Sequence, residues 1–193
     1  MSTSSNDVTV PPAPWQLEWL RAVDAYAIRH ADEAESVALF RDFMLRHSDA
    51  AQRELLHGHL TGSAWLVSRD GRRVLLTHHR KLQRWLQLGG HADGDPDIAA
   101  VALREAEEES GLTDLAVEAE IFDLDRHWIP ERGEVPGHWH YDLRYVVRCL
   151  GAEEFAVSEE SLALAWREVG ELVGEGDESV GRMARKWVGR GFL

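Results

Sequence analysis

Hydrophobic positions recur along this chain in two rhythms, and the rhythm changes near Gly62. Trp19, Leu20, Val23 and Ala27 fall at helical spacing, and after a polar break around Asp32 so do Val37, Phe40, Phe43 and Met44. This predicts two amphipathic helices, with a third short helical stretch over residues 53–57 closed by Gly58. Beyond Gly62 the pattern is that of strands. SAWLVS and RRVLLTHH flank Arg69, Asp70 and Gly71, a hairpin turn signal. Two further strands are predicted over residues 117–127 and 138–150, the second alternating His138, His140 and Asp142 with Trp139, Tyr141 and Leu143. One strong helix lies between the strand pairs, and another, over residues 178–188, ends the chain. This mixed order predicts an α/β fold, a sheet covered by helices on its faces.

The chain has 193 residues, enough for one domain with a real core plus a helical appendage. Residues 1–14, MSTSSNDVTVPPAP, are small, polar and proline-rich and predict a flexible leader. Residues 15–60 form the helical extension and residues 61–193 the main domain. No apolar run approaches the roughly 20 residues of a spanning helix, and the start lacks a secretory pattern. A cytoplasmic protein with no membrane partner is expected. Cys149 is the only cysteine, so no internal disulfide forms, and its place in an apolar strand predicts packing rather than catalysis. The formal charge of −13 argues against nucleic acid as a partner, because such binding rests on many Lys and Arg contacts to phosphates. An anionic substrate would need a reversed local field, which a divalent cation held by carboxylates supplies.

Asp95 as cap, Pro96 at the first helical position and Asp97 nearby predict the start of the central helix, and Gly111 its left-handed stop. Ala99, Ala102, Leu103 and Ala106 gather on a face that would pack onto the sheet. Glu105, Glu108 and Glu109 stand three and four residues apart and share another face. Their mutual repulsion costs a few tenths of a kcal/mol per exposed pair. Arg104 is in reach of Glu108, but a hard cation with oxygen ligands neutralises such a cluster far better. The residues alone leave two readings, a metal site or a solvated acidic face.

The segment over residues 90–112, GHADGDPDIAAVALREAEEESGL, resembles the Nudix signature, in which a Gly is followed at fixed spacing by a Glu and then by REUXEEXGU, with U a bulky apolar residue. Gly90, Arg104, Glu105, Glu108, Glu109, Gly111 and Leu112 fall in register, and the upstream WLQLGG resembles the strand and glycine turn that lead into the box. The first Glu of the signature falls on Pro96, and Ala106 is smaller than the usual apolar residue. The resemblance implies a Nudix-type α/β/α sandwich with a mixed sheet and an activity that hydrolyses a nucleoside diphosphate linked to another moiety: a nucleotide sugar, an ADP-ribose-like compound or a nucleoside triphosphate. It implies Mg²⁺, with Mn²⁺ as an alternative, held by Glu105, Glu108, Glu109 and a backbone carbonyl of Gly89 or Gly90. Arg104 would orient a carboxylate, and Glu108 or Glu109 would act as base. The Pro96 departure implies a changed loop or a missing secondary ligand, and it keeps open a nucleotide-sensing module of low activity. An isoprenoid diphosphate isomerase would need a catalytic cysteine, a context that Cys149 does not offer.

Ten histidines occur, several in tight groups: His57 and His59, His78 and His79, His138 and His140. By strand alternation His138, His140, Asp142 and Arg144 point one way, and Asp123, Asp125 and His127 do the same on their own strand. If the two strands are neighbours, one polar face lies over the central helix as a substrate pocket, and His91, just after the glycines, joins it. The imidazoles could bind phosphate as cations, serve as acid or base, or bind a further transition metal. Trp85 and Trp166 read as structural, while Trp128 and Trp139 read as packing residues or as a stacking platform for a base. The N-terminal helices read equally as a lid or as the interface of a homodimer.

Overall fold

In the computed structural model, which describes residues 11–157, 161–174 and 178–191, the first rhythm becomes α1 (Pro14–Arg29) and α2 (Ala34–Arg46). The expected leader lies outside the described residues up to residue 10. The third helix expected over residues 53–57 is a run of turns, with the Leu55 N–H donating to the Gln52 carbonyl and the Gly58 N–H to the Leu55 carbonyl. Such three-residue steps do not propagate as an α-helix, and Arg53 pairs instead with Asp93.

The described residues form seven strands in one mixed sheet: β1 (Gly58–Val67), β2 (Arg73–His79), β3 (Arg84–Leu86), β4 (Leu88–His91), β5 (Leu115–Ile129), β6 (His138–Cys149) and β7 (Ser161–Glu168). β1 runs parallel to β6 and antiparallel to β2 and β4, while β5 extends the sheet beyond β6. β3 and β7 both pair with β2. Central β1 is buried throughout, so its side chains sort by face rather than by exposure. Leu60 and Ala64 meet α3 (Ile98–Ser110) or the N-terminal helices, and the Gly62 backbone lies against Val101. Trp65 and Val67 meet α5 (Glu178–Gly189), which follows the short α4 (Val169–Leu172). In α5, Val180, Met183, Ala184 and Trp187 repeat at helical spacing and are buried. The result is the expected α/β/α sandwich with a mixed sheet. No helix among the described residues is long and apolar enough to cross a membrane.

α1 and α2 belong to the core. Val23, Tyr26, Phe40 and Met44 are fully buried, Phe43 stacks on Tyr141 of β6 with ring centroids 3.9 Å apart, and the Trp19 indole N–H donates to the Pro96 carbonyl at 2.7 Å. That bond bears on the start of α3, which is displaced from Asp95. Asp97 is the cap, its Oδ1 accepting the Ala100 N–H at 3.0 Å, while Asp95 accepts the Asp97 N–H at 3.0 Å in the preceding turn. Gly111, with φ of 68°, closes the helix in the left-handed conformation. Trp85 and Trp166 pack against core clusters, and the buried Cys149 has its thiol pushed up by burial.

On the α5 side the sheet holds an ionic network centred on buried Arg144 and Asp123. Arg144, 2% exposed, donates to Asp142 at 2.8 Å and to Asp123 at 3.1 Å, and lies 3.4 Å from Asp125. From α5, Arg182 reaches Asp123 at 2.8 Å and Asp125 at 2.7 Å, and Lys186 reaches Asp123 at 2.6 Å. Burial raises the Asp123 carboxyl, but hydrogen-bonded Arg182 and the Arg144 charge together hold it below the usual carboxylate range. Removing one member leaves buried charge without its partner. Arg144→Met is therefore expected to lower unfolding free energy by about 3–5 kcal/mol in urea titrations, and a loss under about 1 kcal/mol would refute this account of the network.

Candidate active site

The acidic face of α3 lies against the Gly-Gly segment of β4, and both glycines are there for lack of space. A Cβ at Gly90 would collide with the Glu105 carboxylate, and one at Gly89 would collide with Ser63. The Gly89 N–H donates to Glu109 Oε1 at 2.8 Å. Two carboxylates thus converge on the backbone of one strand, with Glu108 exposed beside them. Arg104 faces Asp95 at 3.5 Å, Glu105 at 3.6 Å and the His91 carbonyl at 3.5 Å, rather than Glu108. Asp95, next to Pro96, thereby brings a carboxylate to the residue that flanks the cluster. Carboxylate and backbone oxygens gathered in this way suit a hard divalent ion.

The polar face expected on β5 and β6 exists, and β1 and β4 extend it. In register, His127 of β5 stands opposite His140 of β6, His140 opposite His59 of β1, and Thr61 of β1 opposite His91 of β4. Ring centroids of His140 lie 4.8 Å from His59, 5.1 Å from His91 and His138, and 5.4 Å from His127. This face does not lie over α3, as the alternation alone suggested. α3 packs on the opposite face, through Tyr145, Leu143 and the Gly62 backbone, because strand alternation sends neighbouring residues to opposite sides. Asp142 and Arg144 are buried below the imidazoles. Asp142 accepts from the Thr61 hydroxyl at 3.0 Å and the Ser63 hydroxyl at 2.8 Å, so both residues meet protein partners. Asp125 accepts from or bonds to His127 Nδ1 at 3.0 Å, and the Arg144 and Arg182 charges help hold its carboxyl low against the opposing effect of burial.

His59, noted in the sequence only as a neighbour of His57, and Gln87 join the site although neither was expected in the pocket. Gln87 Nε2 lies 3.4 Å from Asp142, and His59 is 3% exposed. The HGH grouping before Gly62 was the available signal for His59, but the turn segment hid the true start of β1. Burial, then the charges of neighbouring imidazoles, lowers His59 to about 4 and His140 to about 2. Both are neutral near pH 7, which argues against phosphate capture by these two as cations. Trp128 and Trp139 pair with each other at 5.2 Å, with Arg126 over Trp139. They alternate with His127 and His138 or His140, so they stand on the other face of the sheet. Two cavities of about 360 and 350 Å³ are lined by neither Glu105, Glu108 nor Glu109; Lys186 of the ionic network lines both and Arg182 the first.

The family model described as a NUDIX domain matches residues 59–187, more than half of the chain. The chain belongs to this family. Among solved structures it is similar to an Ap4A hydrolase from C. elegans in a binary complex, at 18% identity over 68% of this chain and 96% of that one, with a TM-score of 0.54. A MutT protein from Methanosarcina mazei Go1 matches at 15% identity, over 71% of this chain and 97% of that one, with a TM-score of 0.54. The dihydroneopterin triphosphate pyrophosphohydrolase of E. coli matches at 15% identity over 68% and 95%, also with a TM-score of 0.54. At these identities the likeness is one of fold. A search of curated proteins finds no match.

Two outcomes test this geometry. Gly90→Ala displaces the Glu105 carboxylate and is expected to lower kcat about 100-fold with an unchanged circular dichroism spectrum; activity within twofold of the parent would contradict the packing. His59 and His140 titrate in the folded protein below the ordinary 6.5 of an unfolded chain. The unfolded state therefore binds more protons once the pH drops under about 6.5, and stability present above that pH declines on acidification. The melting temperature should fall from pH 7 to pH 5, with a shallower slope in His140→Asn.

Proposed function

We propose that the chain cleaves the diphosphate linkage of a nucleoside diphosphate derivative in a reaction dependent on Mg²⁺ or Mn²⁺. The carrying observation is the convergence of Glu105 and Glu109 on the Gly89–Gly90 backbone, in register with the family's signature. Two fold relatives are named for phosphoanhydride substrates, Ap4A and dihydroneopterin triphosphate, which supports that substrate class.

Glu105 and Glu109 would hold the ion together with Glu108 and a backbone carbonyl of Gly89 or Gly90. When bound, it screens the phosphates and lowers the pKa of an attacking water. Arg104 orients Glu105 and ties Asp95 to the carboxylate cluster, which offsets the missing first Glu of the signature at Pro96. Glu108, exposed at the edge of α3, receives the water's proton. The half-buried imidazoles of His91, His127 and His140, with His138 behind them, contact the rest of the substrate. Asp125, Asp142 and Arg144 position that wall from below. The catalytic domain takes in the whole of β1 from Gly58 onward, and the helices before it act as an extension that packs on its sheet.

A panel of nucleotide sugars, ADP-ribose, dinucleoside polyphosphates and nucleoside triphosphates, run with Mg²⁺ and with Mn²⁺ beside Glu108→Gln, tests the reading. Turnover to a phosphate-monoester product is expected in the parent, with a drop of about 100-fold or more in the variant at unchanged melting temperature. Tight nucleotide binding without turnover of any compound would favour a sensor instead.

A further inference from the structure

We infer that His59, His91 and His140 form a second metal site, one that takes a transition-metal ion of the Zn²⁺ class rather than Mg²⁺. One ring nitrogen from each lies within 4.8 Å of those of the other two. Nitrogens bound to one tetrahedral ion at about 2.0–2.1 Å stand roughly 3.4 Å apart, so small side-chain rotations bring the three into place. The three residues come from adjacent strands β1, β4 and β6, with His59 and His140 directly opposite in the parallel ladder. A sheet holds ligands more firmly than loops do.

The second observation is His59 itself. It is 3% exposed, yet neither ring nitrogen has a hydrogen-bond partner. A buried polar atom left unmade costs about 1–3 kcal/mol, and such atoms are rare in native proteins. A metal ion would take the lone pair of one of these two nitrogens. The surroundings supply an outer layer of support: His138 Nδ1 meets the Pro136 carbonyl at 2.9 Å, and His138 Nε2 meets His140 Nε2 at 3.3 Å. For His140 that contact at Nε2 would set the tautomer and the ring angle and leave Nδ1 for the ion.

The ligand chemistry selects the ion. Three imidazoles and no carboxylate suit Zn²⁺, Co²⁺ or Ni²⁺, whereas Mg²⁺ demands oxygen. The nearest carboxylates are engaged elsewhere, Asp142 with Thr61, Ser63 and Arg144, and Asp125 with His127, Arg144 and Arg182. The imidazoles lie on the sheet face opposite α3, and the link to the acidic cluster runs through the backbone of β4, where Gly90 and His91 are consecutive and the His91 carbonyl faces Arg104. The site does not depend on the reading of those glutamates, and three protein ligands leave one position open.

The test is calorimetric titration of Zn²⁺ into the full-length, metal-free protein with Mg²⁺ saturating, repeated with Co²⁺ for its visible absorption. One equivalent is expected to bind. His91→Ala and His140→Ala should each weaken it by about tenfold or more, while Glu108→Gln and His57→Ala leave it within about twofold. His91 is half-buried at a strand end, so an unchanged zinc-free melting temperature in that variant assigns the loss to the ligand. No Zn²⁺ binding in the parent, binding that survives either histidine change, or an equal loss in Glu108→Gln overturns the proposal. Failure of hydrolysis in Glu108→Gln with Zn²⁺ binding intact separates this site from the catalytic reading.

Discussion

Arg144 is a guanidinium with almost no access to water, and the sandwich is arranged around that fact. Its charge needs carboxylates, and these come from both neighbouring strand positions, Asp142 on its own strand and Asp123 and Asp125 on β5. Those acids need more cation than one arginine supplies, so α5 delivers Arg182 and Lys186. Lys186 continues to Glu33 and to the Tyr26 hydroxyl, which carries the network to the N-terminal helices. Burying such charges is justified energetically only when each is matched, because an unmatched one costs several kcal/mol. The docking of α5 and of the α1–α2 region onto the sheet is thereby coupled to a single interior charge.

The second organising constraint is strand alternation in a sheet covered on both sides. Along β1 the residues Leu60, Gly62 and Ala64 serve the face of α3, and His59, Thr61 and Ser63 serve the other. Gly62 lets α3 approach closely, and Gly90 lets the Glu105 carboxylate rest on β4. The opposite face trades apolar area for imidazoles, hydroxyls and carboxylates at the end that α5 leaves uncovered. Acidic helix and histidine face meet only at β4, where Gly90 and His91 are consecutive.

Much of this was legible in the sequence, and the reasons are local. The acidic helix, its Gly111 stop and the register of Gly90, Arg104, Glu105, Glu108 and Glu109 depend on spacing within one helix and one turn, which a linear pattern preserves. The alternation of His138, His140, Asp142 and Arg144 likewise depends only on the strand's period of two. Misplaced features all depended on distant partners. Asp95 lost the cap to Asp97 in a segment where the Trp19 indole holds the Pro96 carbonyl, and residues 53–57 became turns where Arg53 meets Asp93.

By itself the sequence determined the family, the acidic face and which side chains share a strand face, since each follows from covalent spacing and backbone periodicity. Only the tertiary structure decided which face of the sheet α3 covers, that Asp142 and Arg144 sit beneath the surface among protein partners, and that His59 stands beside His91 and His140. These depend on which strands become neighbours, and a parallel pair such as β1 and β6 is set by packing and charge burial over a long stretch of chain rather than by any local signal.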